Sequence, residues 1–91
     1  MFDYKRFYEA YSCASDDKKD DLLEQLKVVI YFNFQAFFTF HDFDPTEFFA
    51  YAFPKLKSIV KAYHGDSNEF FTYLKKSLEE NIRLFRKLMQ R

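Results

Sequence analysis

Apolar side chains recur along this chain at intervals of three and four residues, the spacing that places them on one face of an α-helix. Four segments carry the pattern. The first is short, Phe2 to about Tyr11, with Tyr4, Phe7, Tyr8 and Tyr11 on one stripe before Ser12-Cys13-Ala14-Ser15 breaks it. The second runs from about Asp16 to Thr39 or Phe40 and aligns Leu22, Leu23, Leu26, Val29, Ile30, Phe37 and Phe40. Ser15 is placed to cap it through its hydroxyl, and Asp16 and Asp17 complement the positive end of the helix dipole. From Val28 onward the apolar residues spread around the whole circumference, with Val28, Phe32, Phe34 and Phe38 off the stripe. That distribution predicts a buried central helix. Val28–Phe34 also has high β propensity. Between Asp17 and Asp44 there is no Gly, Pro or Asn-Gly turn to fold a strand back, so helix is the expectation.

The third segment opens with the clearest start signal, Asp44-Pro45-Thr46-Glu47. Asp44 is the N-cap, Pro45 occupies the first helical position where its missing N–H costs nothing, and Glu47 completes a capping box. Phe48, Phe49, Ala52, Phe53, Leu56, Ile59, Val60 and Tyr63 form the apolar face. Pro54 cannot donate to the Ala50 carbonyl, so a kink or a break is expected near Phe53. His64-Gly65-Asp66-Ser67 is a stop followed by a start. Gly65 suits a left-handed C-cap, and Asp66 with Glu69 repeats the capping-box spacing. The fourth segment carries Phe70, Phe71, Leu74, Leu78, Ile82, Phe85, Leu88 and Met89 on one face, with Arg83, Arg86, Lys87 and Arg91 towards its end. The expected fold class is all-α, a compact bundle of three to four helices with the third kinked or broken at Pro54. It forms a single helical domain, residues 1–91, with a short N-terminal helix and loop over 1–14 and the main bundle over 15–91.

Composition says how such a small bundle is held. Cys13 is the only cysteine of the 91 residues, so no internal disulfide forms. Cys13, His41 and His64 supply no zinc-ligand pattern. Packing must supply the stability, and 14 Phe and 7 Tyr provide the area for it. Fourteen basic and 14 acidic residues cancel, so no global field steers the chain towards nucleic acid or anionic lipid. The N-terminus has no apolar signal-peptide core, and Val28–Phe40 is too short and too interrupted (Asn33, Gln35) to span a bilayer. A soluble, cytoplasmic protein without a membrane partner is the expectation.

Catalytic chemistry is not written into the residues. There is no glycine-rich phosphate loop, nucleophile elbow, His-Glu-x-x-His helix or paired-cysteine motif. His41 beside Asp42 reads as a helix-terminal histidine with a loop carboxylate. Asp42 and Asp44 read as a solvated residue and a cap, not as metal ligands, and Cys13 as a packed or idle thiol. No enzyme, cofactor or metal is expected. The aromatic surplus points instead to binding, because Tyr31, Phe34, Tyr51 and Tyr73 lie off the main stripes and, with Tyr8, are placed to form a surface patch.

From Asp44 onward the chain resembles region two of bacterial RNA polymerase sigma factors. The resemblance rests on Glu47-Phe48-Phe49-Ala50-Tyr51-Ala52-Phe53, its continuation Lys55 to Tyr63, the Gly65-Asp66-Ser67 loop, and Phe70-Phe71-Thr72-Tyr73-Leu74. In that family the first of these helices binds the polymerase clamp and the last opens the promoter. The resemblance therefore implies a non-catalytic domain acting in transcription by protein contact with RNA polymerase or a regulator. It singles out Glu47, Ala50, Tyr51, Tyr73 and Lys76 as partner-binding positions. Ala50-Tyr51 stands where the family usually has a Gln-Glu pair, Lys76-Ser77 where it has adjacent aromatics, and Glu79 and Glu80 where it has basic residues. Those departures imply little direct promoter opening, since the glutamates repel phosphates. Two other functions remain open. One is a helical adaptor or dimerisation module unrelated to transcription, in which a homodimer is the simplest partnership. The other is a single-stranded nucleic-acid binder using Lys55, Lys57, Lys61, Lys75 and Lys76, for which weak or absent affinity is expected from the neutral charge.

Overall fold

Helices start where an oxygen takes up one of the free N–H groups of the first turn. The computed structural model describes residues 2–33 and 44–89, and shows such starts at three places. Asp3 accepts from the Arg6 N–H at 3.0 Å and opens α1, Tyr4–Cys13. Asp44 accepts from the Thr46 N–H at 3.0 Å and opens α3, Pro45–Ala62. Asp66 accepts from the Asn68 N–H at 2.9 Å and opens a single 3₁₀ turn, Ser67–Glu69, which leads into α4, Phe70–Met89. α2, Asp16–Phe32, follows Ser15, whose carbonyl receives the Lys19 N–H at 2.8 Å while its hydroxyl caps nothing. The position of the Ser15 cap is therefore as expected, and the hydroxyl bond is not made. Glu47 is exposed and returns no bond to Asp44 among the described residues, so the capping box is half formed. The Asp44 cap itself is real. Asp44→Ala is expected to cost about 0.5–2 kcal/mol, read as a lower denaturation midpoint in urea; an unchanged midpoint would show that the cap is energetically idle.

The described residues contain four α-helices and no strand, so the all-α bundle stands. α2, α3 and α4 run alternately up and down. Asp20 meets Lys57, and Tyr31 meets Phe49 at 5.6 Å, which sets α2 antiparallel to α3. Phe48 meets Phe85 at 5.6 Å, and the Tyr73 hydroxyl reaches the Ile59 carbonyl, which sets α4 antiparallel to α3. α1 closes over the turn between α3 and α4. Phe7 and Tyr8 stack on Phe70 at 5.8 and 4.9 Å, and Tyr4 lies 4.7 Å from Phe71. The centre is filled by Leu26, Ile30, Phe48, Ala52, Leu56, Phe70, Leu74 and Leu78, none of which is exposed.

Several expectations are refined or corrected. Of the kink or break expected at Pro54, the break does not occur, and α3 runs through Pro54 to Ala62. Ala50 is exposed, so water can take the carbonyl that Pro54 leaves without a donor, while buried Phe49, Ala52 and Leu56 hold both sides in register. The end of α2 is not a buried central helix. Val28 and Tyr31 are 55% and 45% exposed and Phe32 is 79% exposed, because it is the side bearing Leu26 and Ile30 that packs into the core. Phe34, Phe37, Phe38, Thr39, Phe40, His41 and Asp42 lie outside the described residues. Leu88 and Met89 are exposed where they were expected in the core. Gly65 has no positive φ, so it is not a left-handed cap. Its reason is space. A Cβ there would come within 2.6 Å of the Tyr63 hydroxyl, which folds over Gly65 to donate to the Asp66 carbonyl.

One buried polar residue was missed altogether. Asn81 is 9% exposed on the core side of α4, between Leu78 and Ile82. Its amide nitrogen donates to the Ser77 carbonyl at 2.8 Å, and its amide oxygen has no partner among the described residues. Leaving a buried acceptor unmet costs about 1–3 kcal/mol. Asn81→Leu is therefore expected to be neutral or to stabilise by about 1 kcal/mol, with thermal melts as the check. A clear loss of stability would mean that the oxygen is satisfied.

Candidate functional site

The five positions singled out by sequence do not form one patch. Glu47, Ala50 and Tyr51 lie in the first half of α3, near the end of α4, because Tyr51 packs on Phe85 at 5.5 Å. Tyr73 lies beside the second half of α3, with its ring 4.6 Å from Tyr63. Tyr73 and Phe85 are twelve residues apart on one helix, which separates the two groups by roughly 18 Å. Exposure also divides them. Glu47, Ala50 and Lys76 are exposed, whereas Tyr51 and Tyr73 are half-buried. Lys55 sits over the Tyr51 ring at 4.6 Å, and the Tyr73 hydroxyl donates to the Ile59 carbonyl at 2.6 Å. Tyr8 is likewise tied down, its hydroxyl donating to the Tyr63 carbonyl at 2.9 Å. Of the aromatics expected at the surface, Tyr31 is exposed and Phe34 lies outside the described residues.

What the structure assembles around Ala50 is a hollow between α2 and α3. It has a volume of about 470 Å³ and is lined by Lys27, Tyr31, Thr46, Phe49, Ala50, Phe53 and Pro54. Its origin is local. Ala50 and Pro54 fall one turn apart on the same side of α3, and neither has a long side chain to fill the groove. The larger rings of Tyr31 and Phe53 therefore stand as its walls, with Phe53 stacked 4.7 Å from Phe49. Val28 and Phe32 continue the apolar surface along α2. Sequence periodicity places Phe53 on the core face, and Pro54 marks a kink or a break. Their shared place in a surface groove depends on which face α2 covers, and that is not a local property.

No group of three His, Cys, Asp or Glu side chains among the described residues is placed to hold a metal ion. Cys13 and His64 are exposed at separate points, and the His41–Asp42 pair lies outside the described residues. On α4, Lys75 and Lys76 are followed one turn later by exposed Glu79 and Glu80, and Glu80 is paired with Arg83. That face is mixed in sign. No described helix is long and apolar enough to cross a membrane. No family model, curated protein or solved structure matches this chain.

Proposed function

We propose that this chain is a non-catalytic helical domain of the sigma region-two kind, acting in transcription through protein contact with RNA polymerase or a regulator. The observation that carries the reading is the hollow around Ala50. It lies on the helix that resembles the clamp-binding element, at a position where that family contacts polymerase. Replacing a polar pair with Ala50-Tyr51 leaves an apolar groove there, with Glu47 one turn earlier and Lys27 at the edge. Such a groove suits an apolar side chain from a partner helix, flanked by charges that set its orientation. The order α2, α3, tight turn, α4 agrees with the same reading. The mixed charges of α4 argue for contact with protein rather than promoter phosphates.

The test is binding of the purified chain to core RNA polymerase, with Ala50→Arg as the disabling variant. Ala50 is exposed, so the substitution should change stability by no more than about 0.5 kcal/mol while filling the hollow with a charged side chain. Loss of about tenfold or more in affinity, roughly 1.4 kcal/mol, is expected. Absence of polymerase binding by the unaltered chain would reject polymerase as the partner. A second reading, a dimerisation or adaptor module, is favoured by one observation, the 79% exposure of Phe32 beside exposed Val28. It predicts a concentration-dependent dimer in sedimentation that Phe32→Ser abolishes.

A further inference from the structure

Among the described residues, the large hydrophobic side chains left exposed are gathered at one end of the bundle. Val28, Tyr31 and Phe32 close α2, and Leu84, Leu88 and Met89 close α4. Both helices run antiparallel to α3, so they are parallel to one another and these ends point the same way. α2 and α4 each pack on α3 and, among the described residues, not on each other. Each therefore keeps an outer row of side chains in water.

The two rows are alike in layout and opposite in charge. On α2, Asp17, Asp21, Val28 and Phe32 recur at spacings of four, seven and four residues, which places them on one face, and all are exposed. On α4, Lys76, Glu80, Leu84 and Leu88 form a row at four-residue spacing, and all are exposed. Glu80 is held by Arg83, and exposed Lys87 adds a positive charge beside the leucines. Asp17, Asp21, Lys76 and Lys87 have no ion pair among the described residues. The helices as wholes differ in the same sense. α2 carries five acidic and three basic residues, and α4 carries two acidic and five basic. Laid side by side in the same direction, the rows match: Asp21 meets Lys76, Val28 meets Leu84 and Phe32 meets Leu88. The spacings differ by one residue, about 1.5 Å along the axis. Laid in opposite directions, they would set Asp21 against Leu88.

We propose that the occupant of these rows is a second copy of this chain, with α2 of one copy lying parallel to α4 of the other. Copies set side by side pair the helices in this sense, because α2 and α4 are already parallel within each chain. The apolar ends supply the attraction, and the unlike charges fix direction and register. In the same parallel sense, α2 against α2 or α4 against α4 would bring like charges together, which selects the unlike pair. The inference rests on the self-association reading given above, which it deepens by naming the surface that α2 meets. It does not depend on contact with polymerase.

The experiment is sedimentation equilibrium of the whole chain, carried to about 1 mM because one helix pair is a small interface. Concentration-dependent association is expected. Asp21→Lys and Lys76→Glu are both at exposed positions, and each alone sets like charges together across the pair. Each should weaken self-association by about tenfold or more. An equimolar mixture of the two variants should restore it, because each then meets the opposite charge in the other. Lys5→Glu, exposed on α1, should leave association unchanged. Circular dichroism of each variant checks that its helices are intact. A chain that stays monomeric throughout overturns both this pairing and the self-association reading. Association that either charge variant retains in full, or that their mixture does not restore, overturns the pairing alone and moves self-association to another surface.

Discussion

Phe70→Ala is expected to remove about 3–5 kcal/mol of stability, a large share of the 5–15 kcal/mol typical of a small domain. Phe70 is fully buried at the start of α4, and its ring meets Phe7 and Tyr8 of α1 and Tyr63 at the end of α3. Deleting it opens a cavity at the point where three helices and the 3₁₀ turn converge. The cavity cannot close by moving one neighbour, because each ring that borders it is fixed by another contact. Guanidinium melts of the two proteins give the difference directly. A loss below about 1 kcal/mol would mean that α1 does not close over this turn in solution.

Tyr73→Ala should cost about 2–4 kcal/mol, combining lost aromatic packing with a lost hydrogen bond. From the sequence alone Tyr73 looked like a free surface ring, for which a change within about 0.5 kcal/mol would follow. The structure reverses that expectation. Its hydroxyl donates to the Ile59 carbonyl, and its ring lies against Tyr63. Tyr73→Phe separates the two contributions, and about 1 kcal/mol is expected for the hydroxyl alone. Thermal melts showing no change for either variant would return Tyr73 to the surface. Phe32→Ser serves as the contrast, since its ring is mostly in water and its loss should barely move the midpoint.

The fold was legible wherever the signal was local. The Asp44 cap is found where the Asp-Pro-x-Glu pattern placed it, and the stripes of α3 and α4 supply most of the core. Apart from the Ser15 hydroxyl and the half-formed capping box, the misreadings concern relations between elements. Gly65 carried the sequence mark of a left-handed cap, but its small size serves the Tyr63 ring folding over it. Nothing within a few residues of Gly65 announces that. Asn81 sits at helical spacing from Ser77 and Phe85 and was passed over because a polar residue breaks no stripe when its neighbours are apolar. For the candidate site, Ala50 was found through resemblance, whereas its walls, Tyr31 and Pro54, become visible only once α2 is laid against α3. Tyr11 falls on the stripe of α1 and is buried as that stripe implies.

Two tyrosine bonds at the end of α3 bear on how the chain unfolds. Carbonyls near a helix terminus have no partner within the helix and are usually met by water or by a local cap. Here Tyr8 of α1 supplies the Tyr63 carbonyl, and Tyr73 of α4 supplies the Ile59 carbonyl. Two other helices thus finish the third, and none of the three can leave without stripping an acceptor on α3. Peeling α1 away would expose the Tyr63 carbonyl and uncover Phe70 in one step, so the ten residues of α1 should exchange their amide protons together with α3 and not ahead of it. A helix of ten residues, too short to hold on its own, is thereby expected to belong to the cooperative unit of the bundle.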